Sequence, residues 1–505
     1  MSARAPADRA RCDHFYVDRF DRRSFVRRGG RLAAGAAGLA LGAPALVEGA
    51  NPGLSDLRRD VDEVITPGDA RYATAKLAWN ARYDGVNPLA VVLPRTVAEV
   101  KAVIRWARRH DVRLAIRSGG HSYAGLSSTS GVVVDLSHLS GVAVRPDGTA
   151  RVGAGIELQQ AYERLWVSKR AIATGSHPTV GLGGLALGGG QGFASRAHGL
   201  TCDNVTAIEI VTADGRLRTC SDASDPDLFW ALRGGGAGSY GVVTAFTLRT
   251  FPVDTVTTFN IEWPWAGAHG AIVAWQTFML SAPDEVSSVL ALRVPATTGG
   301  DPKVAVNGQV LASKSAAAAA LAPLTGAGSP LGVTITERPF NVAVKYFEGA
   351  GAARARLAAK SAFARELLTP EAIDTLISTV NAKHRDQRLR GGGIVLFAYG
   401  GAINRIAPAA TAFVHRDALF SLEYVSLWND RSISLAEVSI GWVRDAQAAM
   451  RSFVSSEAVQ NYADAELKSW RRAYYGQNLE RLVRVKRRYD PGNVFRHALS
   501  IPTRL

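Results

Sequence analysis

Three glycine-rich segments are the places where the backbone of this chain is best suited to hold a ligand. They are Arg117–Gly125, which contains His121, then Gly175–Gly192, and finally Gly234–Gly241. Glycine lets the backbone approach a ligand closely and adopt positive φ, so that successive N–H groups point at one anion. Three such segments within about 125 residues are more than turns require. We expect them to surround a diphosphate.

A Rossmann-type dinucleotide site is the first alternative, because Gly236-x-Gly238-x-x-Gly241 has the required glycine spacing. That motif needs a strand before it and a helix after it. Here a short helical pattern, Asp227–Leu232, precedes the glycines, and a strand pattern, Val242–Leu248, follows them. The relaxed match Gly181-x-Gly183-x-x-Ala186 is not followed by a long helical pattern either. The sequence therefore argues against a Rossmann NAD site.

Metal and nucleic-acid chemistry are also disfavoured. The three cysteines, Cys12, Cys202 and Cys220, cannot form a four-thiolate site, and HExxH and CxxC motifs are absent from the sequence. We expect no metal, and we expect Cys202 and Cys220 to be buried free thiols. The net charge is +15, but it comes mostly from scattered arginines without an aromatic–basic motif, so we expect no nucleic-acid partner.

Five motifs together resemble those of the berberine bridge enzyme-like oxidases, which belong to the vanillyl-alcohol oxidase and p-cresol methylhydroxylase flavoprotein superfamily. The resemblance covers about residues 80–502 and keeps the order of the motifs. The motifs are Arg117-Ser-Gly-Gly-His-Ser-Tyr123, Pro178-Thr-Val-Gly-Leu-Gly-Gly184, Asp227-Leu-Phe-Trp-Ala-Leu-Arg-Gly-Gly-Gly236, Asn461-Tyr462, and Lys486-x-x-Tyr-Asp-Pro-x-Asn-x-Phe495 with Ser500-Ile-Pro502.

This resemblance implies an α+β fold. A two-part p-cresol methylhydroxylase-type FAD-binding domain, residues 66–255 with the C-terminal segment 451–505, would surround an inserted α/β substrate domain with an antiparallel sheet, residues 256–450. It implies FAD as the cofactor, a small-molecule substrate and molecular oxygen as the electron acceptor.

The resemblance also assigns roles to single residues. His121 matches the histidine that is joined to the flavin 8α-methyl group, and neutral imidazole is a good nucleophile. Many members have a second link through a cysteine where this chain has His177, so we expect attachment through His121 only. Val180 is typical of members that react with oxygen. The expected cofactor-binding residues are Arg117, Ser118, Gly119, Gly120, His121, Ser122, Gly175, His177, Val180, Gly181, Gly184, Gly188, Gly189, Gly192, Val242, Asn493 and Phe495.

Tyr462 matches the family's catalytic tyrosine, which removes a hydroxyl proton while a hydride leaves the substrate carbon. A free phenol titrates near pH 10, so such a base needs its anion to be stabilised by the site. Glu423 is the second candidate, because it shares a strand face with Ser421 and Val425. The competing interpretation of Glu423 is an exposed strand carboxylate.

Departures from the family pattern leave the substrate open. Leu185 replaces a histidine of plant members, Val459 replaces an aromatic residue near the substrate, and Leu479 replaces a common tyrosine. An oligosaccharide, a phenolic alcohol and a polyketide-type metabolite all fit. The alternatives to an oxidase are a flavin dehydrogenase with a quinone or protein acceptor, a sugar-lactone oxidase, and a secreted FAD-binding protein without turnover.

The elements that position these residues follow from local patterns. Thr96 and Glu99 form a capping-box pattern, which predicts a helix after a strand that ends near Val92. Alternation over 112–116 predicts a strand that leads into the first glycine segment, and Asp214-Gly215 predicts a hairpin within 207–219. In the inserted part the patterns predict the helices 314–323 and 352–368 and the strands 394–398 and 419–427.

The first 50 residues resemble an export signal. Arg22-Arg23-x-Phe25 is followed by an Ala/Gly/Leu run over residues 32–47, with small residues near Ala43. The run is too short and too rich in glycine for a stable membrane span. We expect a twin-arginine-type signal that directs the protein to the periplasm or the outside of the cell.

Overall fold

The computed structural model describes residues 53–296, 300–346 and 354–505. The expected signal of residues 1–50 and Cys12 lie outside these ranges. Within them the chain forms two large apolar cores, which we call the first core and the second core. The first core contains residues from before position 257 and after position 457, with a few from between. The second core lies within residues 259–450.

The strands of the first part are short and form two sheets and a ribbon. The sheet orders are β1-β2-β4-β3 and β5-β6-β10-β8-β9, and β7 pairs with β11. The strands are β1 (Val64–Ile65), β2 (Ala90–Val92), β3 (Leu114–Arg117), β4 (Val132–Asp135), β5 (Val142–Val144), β6 (Thr149–Gly153), β7 (Arg170–Ala171), β8 (Val205–Thr212), β9 (Leu217–Cys220), β10 (Gly241–Arg249) and β11 (Phe251–Pro252).

Helices connect these strands and cover them. They are α1 (Leu54–Asp60), α2 (Tyr72–Ala75), α3 (Val97–Arg109), α4 (Leu158–Trp166), α5 (Leu182–Leu187), α6 (Ser195–His198) and α7 (Pro226–Leu232). The short α5 after Gly181 and the order α7, glycines, β10 agree with the argument against a Rossmann unit.

The β2–α3–β3 unit delivers the first glycine segment. The Thr96 Oγ1 accepts a hydrogen bond of 3.2 Å from the N–H of Glu99, which starts α3 as predicted. The strands β2 and β3 both run parallel to β4, which lies between them. Because β3 ends at Arg117, the segment begins at the carboxyl edge of these parallel strands, where open α/β sheets bind ligands.

The inserted part is a seven-stranded antiparallel sheet with the order β15-β12-β14-β13-β17-β18-β16. Its strands are β12 (Thr255–Trp263), β13 (Val286–Arg293), β14 (Lys303–Val310), β15 (Gly332–Pro339), β16 (Arg356–Ala364), β17 (Gly392–Ala398) and β18 (Phe420–Trp428). The helices of this part are α8 (Ala268–Ser281), α9 (Lys314–Thr325), α10 (Phe340–Tyr346), α11 (Pro370–Arg385) and α12 (Ile433–Met450).

The two faces of this sheet have different neighbours. Leu422 and Tyr424 of β18 lie in the second core with residues of α8, α11 and α12. The alternate residues face the other way, because successive side chains of a strand point to opposite faces. On that face Val425 packs with Trp79 of the first part of the chain. The sheet therefore presents one face to its own helices and the other to the first part of the chain.

The prediction of a helix over 352–368 was wrong. From Arg356 to Ala364 the chain forms the edge strand β16, paired antiparallel with β18, and residues 347–353 lie outside the described ranges. Alanine favours helices intrinsically, but that preference is weak against tertiary packing. Ala358, Ala362 and Ala364 lie in the second core, so their small side chains pack against it as part of the sheet.

The last part of the chain returns to the first core through α13 (Trp470–Tyr475) and α14 (Leu479–Tyr489). The Lys486 ammonium is fully buried and lies 2.7 Å from the carboxylate of Asp490. It also donates to the carbonyl oxygens of Ser239 and Phe495, at 2.7 and 2.6 Å. A buried charge needs such complete pairing. The terminal motif thus fastens the chain end to the third glycine segment.

Other sequence-based predictions are also confirmed. β8 and β9 form the predicted hairpin, and Gly215 adopts φ of 78° in its turn. Cys202 and Cys220 are buried free thiols. α9, β17 and β18 match the remaining predictions for the inserted part. No helix in the described ranges has the length and apolarity needed to cross a membrane.

Candidate cofactor and substrate site

The three glycine segments line one cavity, together with β13, β17 and the chain around position 462. Thirteen of the predicted site residues contribute to its wall. They are Ser118, Gly119, Gly120, His121, Ser122, Gly175, His177, Val180, Gly181, Gly184, Gly188, Gly192 and Tyr462. Residues from sequence positions far apart are thus gathered around a single space.

The first two glycine segments cross each other at Gly119 and Gly181. A Cβ atom on Gly119 would lie 2.3 Å from the Gly181 nitrogen, and one on Gly181 would lie 2.0 Å from the Gly119 nitrogen. Both distances are too short for any side chain. Glycine is needed here because two backbones touch, and the contact fixes His121 against residues 177–180.

His121 is held by three neighbouring side chains. Its Nε2 lies 2.8 Å from the Thr179 Oγ1, and its ring stacks on Trp79 at a centroid distance of 4.7 Å. The His177 ring approaches edge-on at 4.8 Å. Burial, and secondarily the neighbouring His177, hold the pKa of His121 well below its usual range. His121 is therefore a neutral imidazole at pH 7.

Arg117 does not line the cavity but positions its wall. Its buried guanidinium donates to the carbonyl oxygens of residues 75–77, at 2.6 to 3.3 Å, and to that of Ser127 at 3.3 Å. These bonds hold the chain just before Trp79. The Trp79 N–H in turn donates to the Gly120 carbonyl at 3.1 Å. Arg117 therefore sets the distance between the tryptophan and the first glycine segment.

Tyr462 closes the cavity on the side of the inserted sheet. Its ring stacks on Tyr123 with a centroid distance of 5.5 Å and an interplanar angle of 10°. Phe397 of β17 lies 6.2 Å from it. Because Tyr123 follows His121 by two residues, this stacking joins the first glycine segment to the segment that carries Tyr462.

A buried ion pair fixes the chain immediately after Tyr462. The Asp464 carboxylate lies 2.6 Å from the Lys360 ammonium of β16, and both side chains are less than a tenth exposed. The Asp464 N–H also donates to the Tyr474 hydroxyl at 2.9 Å. The segment around Tyr462 is thereby attached to the edge of the inserted sheet and to α13.

Several predicted site residues lie outside the cavity wall for identifiable reasons. Gly189, with φ of 116°, lets the backbone pass the Phe413 ring, 2.8 Å from where its Cβ would stand. Val242 is buried in β10 opposite Val211. Asn493 has φ of 51° in the turn after α14, and Phe495 lies in the first core. These residues support the site from behind.

Glu423 also lies away from the cavity wall. It is fully buried in the middle of β18, next to Val395 of β17 and Ser361 of β16. Ser421, two residues earlier on the same face, is paired with the cavity-lining Phe397. Glu423 is thus a buried carboxylate one step along the strand from the cavity, rather than an exposed one.

Other lining residues were not predicted as site residues. Trp79 precedes the recognised motifs, so no local signal identified it. Ala237 also lines the wall. The sequence indicated its segment, Gly234–Gly241, as part of the site, but no single residue of that segment was predicted. Gln460 and Asn461 line it as well. Asn461 belongs to a recognised motif, but only Tyr462 of that motif was given a role.

Comparisons with known proteins agree with this architecture. A family model described as "FAD binding domain" matches residues 88–221, and one described as "Berberine and berberine like" matches residues 460–502. An uncharacterized FAD-linked oxidoreductase of Bacillus subtilis (strain 168), YgaK, is 33% identical over 87% of this chain and 96% of its own length. The chain belongs to the berberine bridge enzyme-like FAD-linked oxidoreductases.

Further members of the family resemble the chain over most of its length. Chitooligosaccharide oxidase of Gibberella zeae is 30% identical, over 84% of this chain and 89% of that protein. The structure of Physcomitrella patens BBE-like 1 superposes with a TM-score of 0.81 at 30% identity, covering 89% of this chain and 99% of the other. This berberine bridge enzyme-like protein is therefore an FAD-linked oxidoreductase.

The site residues fit FAD on structural grounds. Gln460 Oε1 and Asn461 Oδ1 are buried acceptors in the cavity wall that have no hydrogen-bond partner among the described residues. Buried polar atoms rarely stay unpaired, so these two oxygens fit a ligand that carries N–H or O–H donors. A Cβ on Gly184 would meet no atom within 4 Å, so the wall is open there. His121, the glycine backbones and these oxygens would hold the cofactor.

Two glycine substitutions separate packing from ligand binding. Gly184→Ala should leave the free energy of unfolding of the flavin-free protein within about 1 kcal/mol of wild type, because its methyl group points into open space. It should lower the FAD affinity at least roughly tenfold, because that space belongs to the ligand. Thermal unfolding and flavin fluorescence titration measure the two quantities.

Gly119→Ala is the contrasting variant. Its methyl group would meet backbone atoms, so we expect destabilisation by about 1–3 kcal/mol or more even without flavin. Equal loss of stability in both variants, or unchanged FAD affinity in Gly184→Ala, would contradict this assignment of the cavity.

Proposed function

We propose that the protein is an exported oxidase that carries FAD covalently on His121 alone and removes two electrons from a hydroxyl-bearing small molecule. Molecular oxygen would accept the electrons and leave as hydrogen peroxide. The observation that carries the proposal is that His121, Val180 and Tyr462, from three separate segments, line one cavity.

The surroundings of His121 support a covalent link. A neutral imidazole has one nitrogen lone pair available for bond formation. The depressed pKa keeps that lone pair unprotonated, and Trp79 and Thr179 restrict the ring to one orientation. The second flavin-linking cysteine of many relatives is replaced here by His177, whose ring lies beside that of His121. This supports a single point of attachment.

Tyr462 is the proposed proton acceptor. When bound, FAD supplies the acceptor for the hydride that leaves the substrate carbon. Tyr462 would take the hydroxyl proton of the same substrate, which its place in the cavity wall allows. Its ring is positioned by Tyr123 and by the Asp464–Lys360 pair. Glu423, buried on the sheet face that carries Ser421, is the second candidate for this proton.

Val180 and the relatives support oxygen as acceptor and a carbohydrate or other alcohol as substrate. Val180 lines the cavity at the position that, in the family, is typical of oxygen-reactive members. One relative is named chitooligosaccharide oxidase, which favours an oligosaccharide over the phenolic alcohol and the secondary metabolite. The alternative is a dehydrogenase with a non-oxygen acceptor. A binding protein without turnover is less favoured, because Tyr462 faces the cavity.

The covalent link is tested by acid precipitation of the purified protein. Flavin should remain in the pellet of the wild type and of His177→Ala, because His121 alone forms the bond. His121→Ala should release all its flavin into the supernatant. Absorbance near 450 nm and the intact protein mass measure the outcome. Release of the flavin from the wild type would remove the covalent part of the proposal.

The role of Tyr462 is tested by Tyr462→Phe, which removes the hydroxyl group and keeps the stacking on Tyr123. Substrate binding should persist, and the rate of flavin reduction should fall by roughly 10²-fold or more. Anaerobic stopped-flow measurement with the best substrate of an oligosaccharide and alcohol panel gives both quantities. One peroxide per substrate in air supports the oxidase, and turnover only with a quinone would support the dehydrogenase.

The export part of the proposal rests on Arg22-Arg23 and the apolar run that follows. Cell fractionation of a bacterial host that has the twin-arginine pathway should place the protein outside the cytoplasm, with its flavin bound and about the first 50 residues removed. Full-length protein confined to the cytoplasm would contradict it.

A further inference from the structure

Thr179 lies between the two histidines of the cavity. Its Oγ1 is 2.8 Å from the Nε2 of His121 and 3.4 Å from the Nδ1 of His177. The second contact is the weaker one, because typical hydrogen bonds of this kind span about 2.7–3.2 Å. The three side chains therefore form a continuous row, with the threonine hydroxyl between two imidazole nitrogens.

The hydrogen bonds of the row can run in either of two directions, and one of them suits a reaction at His121. A hydroxyl group donates one hydrogen bond, so Thr179 can donate to only one of the two imidazoles at a time. If Thr179 donates to His177, the Nε2 of His121 carries a hydrogen and donates to Thr179. In a neutral imidazole the other nitrogen then holds the lone pair. The Nδ1 of His121 becomes the nucleophilic atom, and the row becomes a path for the Nε2 proton.

We propose that Thr179 and His177 are a proton relay for the attachment of FAD to His121. Thr179 is a positioning residue that fixes the reactive tautomer of His121, and His177 accepts the proton that His121 must lose. This inference rests on the covalent link proposed above. It gives His177 a role at a position where many relatives carry a second flavin-linking cysteine.

The step balances as follows. A bond forms between the Nδ1 of His121 and the flavin 8α carbon, and one C–H bond of that methyl group and the Nε2–H bond of His121 break. Two protons and two electrons are released in total. The Nε2 proton passes through the Thr179 hydroxyl to His177 and from there to solvent, and the proton of the broken C–H bond also leaves to solvent. Molecular oxygen takes up two electrons and two protons and becomes hydrogen peroxide.

The packing around Thr179 and the two histidines supports their role as a proton relay. Trp79 stacks on His121 at 4.7 Å and meets His177 edge-on at 5.8 Å, so both rings are held by one neighbour. His121 and His177 both line the cavity. His121 is half-buried, and its lowered pKa shows that its surroundings disfavour a positively charged ring, so the proton has to leave as the bond forms. A proton acceptor within the wall replaces the solvent.

The experiment measures the rate at which flavin-free protein, mixed with excess FAD in air, acquires acid-stable flavin. Thr179→Val and His177→Ala should attach FAD roughly 10²-fold more slowly than wild type, the range expected for loss of a positioned proton acceptor. Prolonged incubation should still reach full attachment, because His121 is unchanged. Reversible FAD binding, measured within the first seconds, shows that the variants are folded.

Two rescues distinguish a proton path from a structural role. Thr179→Ser keeps the hydroxyl and should attach FAD within a few-fold of the wild-type rate. Added imidazole should accelerate attachment in His177→Ala and leave Thr179→Val unchanged. Thr244→Val is the control that makes the same side-chain change elsewhere, since Thr244 is buried in β10, donates to the Glu209 carbonyl oxygen and lies away from the cavity wall.

The outcomes separate this inference from the proposed function. Three outcomes would each overturn the relay and leave the link to His121 intact. They are attachment at the wild-type rate in Thr179→Val or His177→Ala, slow attachment in Thr179→Ser, and no acceleration of His177→Ala by added imidazole. Wild-type protein that binds FAD but never attaches it would overturn both the relay and the covalent link. If the variants attach FAD slowly but the wild type oxidises no substrate, the relay is supported and the proposal that the protein is an oxidase is rejected.

Discussion

The crossing of two backbones at Gly119 and Gly181 is the constraint on which the site depends. With no room for a side chain at either position, the two segments meet directly and present His121 to Thr179 and His177. Interiors pack densely, so a displacement of one ångström at this crossing would move the imidazole out of reach of the threonine hydroxyl. Much of the glycine content near the cavity therefore serves contact within the protein as well as approach to a ligand.

The second requirement is closure by the end of the chain. The buried Lys486–Asp490 pair holds the terminal segment against Ser239, and the Asp464–Lys360 pair joins the chain after Tyr462 to the inserted sheet. Buried ion pairs contribute little net stability, but breaking one leaves an uncompensated charge at a cost of about 3–5 kcal/mol. Such pairs therefore favour one relative position of the segments they join and penalise all others. This suits a site whose two walls come from distant parts of the sequence.

The sequence allowed good predictions wherever a short pattern determines the structure. The cap at Thr96, the turn at Gly215 and the gathering of the glycine segments are local signals, and the structure has all three. Arg356–Ala364 was mispredicted because its alanines carry a helix preference that the sheet overrides. Trp79 was missed because its function arises from a contact with His121, 42 positions later, and no spacing in the sequence encodes that contact.

The distribution of the site along the chain also bears on how the protein matures. His121 and Tyr462 are separated by more than 300 positions, and the whole inserted sheet lies between them. The cavity cannot be complete until the terminal segment has packed against the first core, because Tyr462 reaches it only then. The proposed attachment of FAD to His121 would thus require a folded chain. A route that exports folded proteins would deliver the enzyme with its cofactor already in place, which a route for unfolded chains could not do.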